Sequence, residues 1–196
     1  MHGLTSEVLP SFNFREIRCI KDYSEICQDY SPSLCNESKL PNQGAEYLFF
    51  PTNKGELSAI FKEMSKRNVT VTISGARTGL VGGAVPYGGA IVSLERFDKI
   101  LGLRYDTHSK EWLVKAECGV TIRDLNNWAM KNTFPGLSES GSAETKAFLE
   151  KYKDSDTIYF YPPDPTEMGA ALGGTVSTNA SGARTYRYGA TRNWVR

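Results

Sequence analysis

Ile73-Ser74-Gly75-Ala76-Arg77-Thr78-Gly79-Leu80-Val81-Gly82-Gly83-Ala84-Val85-Pro86 is the stretch whose reading decides how this chain folds. It continues Val69-Thr70-Val71-Thr72-Ile73, β-branched at every position and therefore read as a strand. Four glycines then fall within nine positions, from Gly75 to Gly83. Each costs on the order of 0.5–1 kcal/mol of backbone entropy relative to alanine, which makes sense where a backbone turns with positive φ or meets a ligand closely. Consecutive N–H groups in such a loop form a concave nest for phosphate oxygens. Arg77 adds a charge and Thr78 a hydroxyl donor. The loop holds no Lys, so it is not a Walker loop. Its glycines do not lead into a helix, as a dinucleotide fingerprint requires, because Val85-Pro86-Tyr87-Gly88-Gly89 cannot start one. Two readings stay open: a loop-built phosphate site with no helix dipole behind it, or a long turn with no ligand.

The flanks of the loop are strands and helices. Upstream, Glu46–Phe50 reads as a strand stopped by Pro51, and Asn53 and Glu56 have the spacing of a helix cap and its returning carboxylate. Leu57, Ile60, Phe61 and Met64 then form one helical face, and Asn68 ends the helix. A strand–helix–strand unit of this kind predicts two parallel strands with a right-handed crossover. Residues 1–45 lack a long period and read as a wrapping segment with a short helix around Lys21–Gln28. Downstream, Ala90–Leu94 and Trp112–Glu117 read as strands, the second after a loop holding Asp106, His108 and Lys110. Thr121 and Asp124 repeat the cap spacing before a helix with inner face Ile122, Leu125, Trp128 and Ala129. The polar residues 136–156 read as a surface excursion with a helical turn or two, and Thr157–Tyr161 as a short strand.

A second stretch of small residues follows the rigid Pro162-Pro163-Asp164-Pro165: Gly173-Gly174-Thr175-Val176-Ser177-Thr178-Asn179-Ala180-Ser181-Gly182-Ala183-Arg184. Small side chains let a backbone press against a flat ligand, and Ser177, Thr178 and Asn179 offer donors and acceptors in succession. The bland alternative is a tightly packed turn between strands. Ser-Gly-Ala-Arg-Thr occurs at both 74–78 and 181–185, with no wider repeat, and is read as coincidence. Trp194-Val195 looks like the start of another strand, which suggests a shortened chain.

Composition narrows the class. At 196 residues, 40% hydrophobic and a formal charge of +1, the chain can bury a core and gives no reason to expect a nucleic acid partner. It has no apolar run of bilayer length and no signal-peptide pattern at Met1-His2-Gly3-Leu4. The expected location is cytoplasmic, with peripheral attachment to the inner face of a membrane as the variant. Cys19, Cys27, Cys35 and Cys118 form no Cys-x-x-Cys, and neither histidine stands beside a cysteine pair, so no metal is expected.

The two small-residue segments together, in this order, resemble the FAD-binding domain of the FAD-linked oxidase family, the vanillyl-alcohol-oxidase or PCMH-type fold. Within it the chain is most similar to the D-lactate, glycolate and D-2-hydroxyglutarate dehydrogenases. There a Pro-x-Gly-Gly-Gly-Thr-Gly-Leu-type loop holds the pyrophosphate, and a Pro-Pro-Asp-Pro…Gly-Gly-x-Val-x-Thr-Asn-Ala-x-Gly…Tyr-Gly…Arg stretch lines the flavin. In this chain the later stretch runs nearly complete from Pro162 through Tyr188, Gly189 and Arg192. The resemblance implies an α+β fold of two α/β lobes: a small parallel sheet with helices at 46–110, and a mixed, mostly antiparallel sheet at 111–196. It places the pyrophosphate on Gly75, Ala76, Arg77, Thr78, Gly79, Gly83 and Ala84, and the flavin on Pro163, Asp164, Gly173, Gly174, Ser177 and Asn179. Departures from the pattern are Ser74 and Arg77, which move a positive charge within the loop, Cys118 in place of a frequent Pro, and the longer 136–156 insert.

Function follows from the same resemblance. A 2-hydroxy acid would pass a hydride to non-covalently bound FAD, since His2 and His108 lie outside both motifs. Arg184 is the one candidate for the substrate carboxylate, with a phosphate or surface contact as its alternative. The catalytic residues and the electron acceptor stay unassigned, because the family draws its base from a cap domain absent from these residues. An apolar edge would favour a homodimer or a partner subunit. The alternatives are a flavoenzyme of the same fold with another substrate, such as an ether-lipid synthase, and a non-catalytic module that has lost FAD.

Overall fold

The computed structural model describes residues 18–164 and 166–196. The expectation of a wrapping segment at residues 1–17, His2 and Pro165 therefore lie outside the described residues. The first lobe is a four-stranded sheet built from β1 (Arg18–Ile20), β2 (Tyr47–Phe50), β3 (Val71–Ser74) and β4 (Ala90–Ser93) in the order β1-β2-β4-β3. β4 runs parallel to both β2 and β3, and β1 adds an antiparallel edge. The strands on either side of the first long helix are thus parallel as expected, with β4 inserted between them.

The period of two in the strands assigns the faces. Tyr47, Phe49, Ala90 and Val92 pack with Ile60 and Met64 of α2 (Lys54–Lys66). Leu48, Phe50 and Ile91 face the other way, against Ile26 of α1 (Tyr23–Asp29), Leu34 and Ala45. The wrapping segment therefore covers β2 and β4 on that face of the sheet. Phe61, expected on the buried face of α2, is 36% exposed. It lies about 100° round the helix from Ile60, on the flank of a stripe centred on Ile60 and Met64.

Both ends of α2 are closed by local chemistry. Asn53 Oδ1 accepts from Glu56 N at 3.0 Å, while the Glu56 carboxylate accepts from Thr52 N at 2.7 Å, one residue before the cap. At the other end Asn68 takes φ +55°, and Val69 N donates to Met64 O at 2.9 Å while Asn68 N donates to Ser65 O at 3.1 Å. That closure consumes Val69, so β3 starts at Val71 rather than at Val69.

The second lobe is built on a hairpin of β5 (Ile100–Asp106) and β6 (Glu111–Ala116). β5 is absent from the sequence reading, and it pairs with β6 across residue 110, where that reading divides the lobes. Gly102 and Arg104 dilute its apolar pattern, and a register shift between Ile100 and Gly102 breaks its alternation. Asp106 Oδ1 closes the turn by accepting from His108 N at 2.9 Å and Ser109 N at 3.3 Å, which holds that carboxyl below its usual range. α3 (Ile122–Met130) begins at its Thr121 cap and buries Ile122, Leu125 and Ala129 as expected.

Residues 136–156 depart from the reading. They form α4 (Leu137–Ser140) and the three-turn α5 (Ala143–Lys153), capped by Ser142. Leu137, Leu149 and Tyr152 from these helices are buried in the core of the second lobe with Ile100, Leu103 and Phe134. Two expected strands are also absent. Thr157–Tyr161 joins no ladder among the described residues, and Tyr161 N donates instead to Asn126 Oδ1 at 2.9 Å. Trp194 closes a 3-10 turn, Thr191–Trp194, with its Nε1 donating to Tyr188 O at 2.8 Å. The second sheet is therefore the hairpin alone among the described residues, and an isolated antiparallel bridge joins Thr121 to Ala171 apart from it. Among the described residues no helix is long and apolar enough to cross a membrane.

Candidate functional site

The glycine-rich loop leaves the carboxyl end of β3 and is held from below by the wrapping segment. Glu37 N donates to Arg77 O at 3.2 Å, Gln43 N to Pro86 O at 3.1 Å, and Gly88 N to Gly44 O at 3.1 Å. Gly82 turns with φ +77°, and a Cβ there would come within 2.5 Å of Leu40 Cδ1, so the loop rests on that side chain. Residues 36–44, which carried no functional signal in the sequence, thus set the shape of the loop. Above it the space is open: a Cβ on Gly79 or Gly83 would meet nothing within 4 Å. The N–H groups of Arg77, Thr78 and Gly79 find no acceptor among the described residues. Arg77 has φ +60°, and its Nη1 reaches back to Gly75 O at 3.4 Å.

Ser74 and Ser93 stand side by side at the ends of β3 and β4, both fully buried, and neither hydroxyl has a partner. Buried hydroxyls without a protein partner are uncommon. Ser93 went unremarked in the sequence. The available signal was a polar residue closing the otherwise apolar Ala90-Ile91-Val92.

The second segment is stitched onto the turn before α3. Arg123 N donates to Met168 O, Ile122 N to Ala170 O, Leu172 N to Val120 O and Gly173 N to Cys118 O, at 2.8–3.0 Å. Its small residues then form a six-residue helix, α6 (Leu172–Ser177), which replaces the turn between strands left open by the sequence. The approach is close: a Cβ on Gly173 would lie 2.7 Å from Cys118 Cβ. Burial pushes the Cys118 thiol upward, which keeps it neutral. The two segments meet at the base, where the Cβ position of Gly75 lies 3.6 Å from Ala171 Cβ.

Of the flavin-side residues, Gly174 faces open space. Ser177 Oγ donates to Gly173 O at 2.8 Å and keeps its acceptor lone pairs. Asn179 terminates α6 at φ +48°, and its Oδ1 accepts from Arg192 N at 3.0 Å. Thr191, fully buried, donates to Ala180 O at 2.8 Å and adds to that clip. Pro163 is buried, and Asp164 pairs with Arg184, Oδ2 to Nε at 3.2 Å. A cavity of about 1260 Å³ opens over the second lobe, lined among others by Trp112, Cys118, Gly173, Ser177 and Trp194. None of Gly75 to Ala84 lines it, so the loop and the cavity adjoin through Ala171–Gly173 rather than sharing one wall.

The arrangement fits a dinucleotide whose anionic bridge lies on the loop and whose flat ring lies on α6. Unused N–H groups and the open faces of Gly79, Gly83 and Gly174 are the observations that support the fit. Residues 45–145 match the family model described as "FAD binding domain". The chain is 40% identical over 152 residues to D-lactate dehydrogenase of Anaerostipes hadrus, covering 77% of this chain and 26% of that protein. It is 32% identical over 150 residues to D-2-hydroxyglutarate dehydrogenase of Xanthomonas citri pv. viticola, covering 76% of this chain and 26% of that one. The chain thus spans about a quarter of the length of these relatives. Among solved structures, 6-hydroxy-D-nicotine oxidase from Arthrobacter nicotinovorans aligns with a TM-score of 0.60 at 13% identity, covering 91% of this chain and 32% of that one. Alkyldihydroxyacetonephosphate synthase aligns with a TM-score of 0.52 at 18% identity, covering 76% and 25%. These two likenesses speak to the fold alone.

Proposed function

Because this chain belongs to the FAD binding domain family, we propose that it is the cofactor-cradling part of a flavin-dependent dehydrogenase that oxidises a 2-hydroxy acid of the D-lactate, glycolate or D-2-hydroxyglutarate type. The observation that carries the reading is the meeting of the two segments, with Gly75 against Ala171 beneath a loop of unused N–H groups. Gly75, Ala76, Arg77, Thr78, Gly79, Gly83 and Ala84 take the pyrophosphate. Pro163, Asp164, Gly173, Gly174, Ser177 and Asn179 take the ribityl chain and ring. FAD, when bound, supplies the hydride acceptor. The chain's own part is to orient the dinucleotide and to exclude water where Gly173 packs on Cys118.

Binding is non-covalent in this reading, since His108 sits in the hairpin turn of β5 and β6, where its backbone N–H donates to Asp106, outside both small-residue segments. Arg184 has its Nε held by Asp164 and is half-exposed, which leaves its outer N–H groups for a substrate carboxylate. No residue of this chain is assigned as the base. The hydroxy-acid reading is favoured over the ether-lipid one because the relatives at 32–40% identity are dehydrogenases, whereas the synthase shares 18%.

The visible absorption spectrum of the purified chain, before and after addition of FAD, tests the proposal. Gly79→Trp is the control, because its side chain enters open space and fills the loop without displacing the core. A flavin spectrum in the native chain that the control abolishes is the expected result. A native chain that takes up no flavin by either route would leave the non-catalytic module as the better reading.

A further inference from the structure

Resting on the flavin reading, we infer that Arg77 is a specificity-determining residue of the loop, one that trades backbone strain for a positive charge available to the pyrophosphate. The backbone at 77 lies in the left-handed region, φ +60°, which suits glycine and is disfavoured for a residue with a Cβ. Glycines surround this position, yet Gly75, Gly79 and Gly83 have no positive φ. Of the glycines from 75 to 83, only Gly82 does. The chain therefore places arginine where the conformation asks for glycine, and glycine where it does not. Such a conflict between local sequence and local structure is expected where function overrides stability.

Two further observations indicate what the charge is for. Arg77 forms no ion pair among the described residues, and its one side-chain bond is the long 3.4 Å contact to Gly75 O. A half-buried guanidinium with no carboxylate partner is available for an anion. Its own N–H and those of Thr78 and Gly79 are unspent beside it. The loop conformation is fixed independently of any ligand, because Arg77 O is held by Glu37 N at 3.2 Å. The guanidinium is thus presented on a braced backbone, and the group it meets is the doubly charged diphosphate rather than the uncharged ring.

The test titrates the native chain, Arg77→Gly and Arg77→Lys with FAD, ADP and riboflavin, and records their melting temperatures. ADP carries the diphosphate without the flavin, and riboflavin the flavin without phosphate. Arg77→Gly is expected to melt roughly 2–4 °C higher and to bind FAD and ADP about tenfold or more weakly, with riboflavin unchanged. Arg77→Lys keeps the charge and the strained Cβ, so it is expected to recover most FAD affinity and to show no rise in melting temperature. Unchanged ADP affinity in Arg77→Gly overturns the inference while native FAD binding leaves the flavin reading intact. A fall in melting temperature for Arg77→Gly overturns the strain argument. A native chain that binds neither FAD nor ADP overturns both the inference and the reading it rests on.

Discussion

A Cβ added at Gly173 would meet the Cβ of Cys118 at 2.7 Å and its carbonyl oxygen at 3.1 Å, whereas at Gly79 it would meet nothing within 4 Å. Neither position has positive φ, so alanine is tolerated by the backbone at both and only the surroundings differ. Gly173→Ala is therefore expected to cost about 1–3 kcal/mol, because the strand-like stitching from Cys118 to Met168 must shift to admit a methyl group. Gly79→Ala is expected to leave stability within about 0.5 kcal/mol yet to weaken FAD. Urea denaturation paired with FAD titration separates the two, and equal destabilisation would mean the loop is packed rather than open. That these glycines matter was legible in the sequence from their clustering. Their different roles were not, because the role of Gly173 depends on Cys118, distant in sequence. The same limit hid Ser93, whose missing partner is visible only once β4 lies beside β3.

At the scale of elements, period and capping identified α2, α3, β2, β4 and β6, whose apolar spacing is undiluted. β5 and α5 escaped because charged and small residues mask two or three core positions. In α5, Leu149 and Tyr152 lie three residues apart on one face among Lys and Glu, and that pair carries the burial. Tyr152 is 1% exposed, its ring 4.9 Å from those of Trp112 and Tyr159, and its hydroxyl donates to Ala129 O at 3.1 Å. Desolvation pushes the phenol well above its usual range, so it stays a neutral donor at any pH at which the chain is handled. Tyr152→Ala is expected to cost about 3–5 kcal/mol. Tyr152→Phe keeps the ring and is expected to cost about 0.5–1.5 kcal/mol, since Asn132 N still donates to Ala129 O at 3.2 Å. Chemical denaturation of the two variants gives the ratio. Near-equal losses would assign the helix's contribution to the hydrogen bond rather than to the packed ring.

The whole molecule has its clusters of buried residues on two sides of a narrow seam: two flank the parallel sheet, and one packs beneath the hairpin. The seam is made of close backbone approaches rather than a shared core. A Cβ on Gly119 would lie 2.5 Å from Leu94 O and 2.7 Å from Phe97 O, and Gly75 faces Ala171 across the same line. The resemblance implied two lobes, but so thin a contact was not legible in the sequence, because it consists of backbone against glycine. The thinness has a consequence for unfolding. All three tryptophans, Trp112, Trp128 and Trp194, belong to the hairpin lobe, so their fluorescence reports that lobe alone, while far-ultraviolet circular dichroism reports both. The hairpin lobe has two strands and a cavity of about 1260 Å³ open beside its core, so it is expected to unfold at lower urea than the parallel sheet. Fluorescence should therefore fall before circular dichroism in the chain without FAD, a departure from two-state behaviour. A dinucleotide seated on the loop of one lobe and α6 of the other would couple them, adding about 2.7 kcal/mol at a hundredfold excess over Kd and drawing the two transitions together. Coincident transitions without FAD would mean that the seam alone makes one cooperative unit. Transitions that stay apart at saturating FAD would mean that the cofactor rests on one lobe and does not bridge the seam.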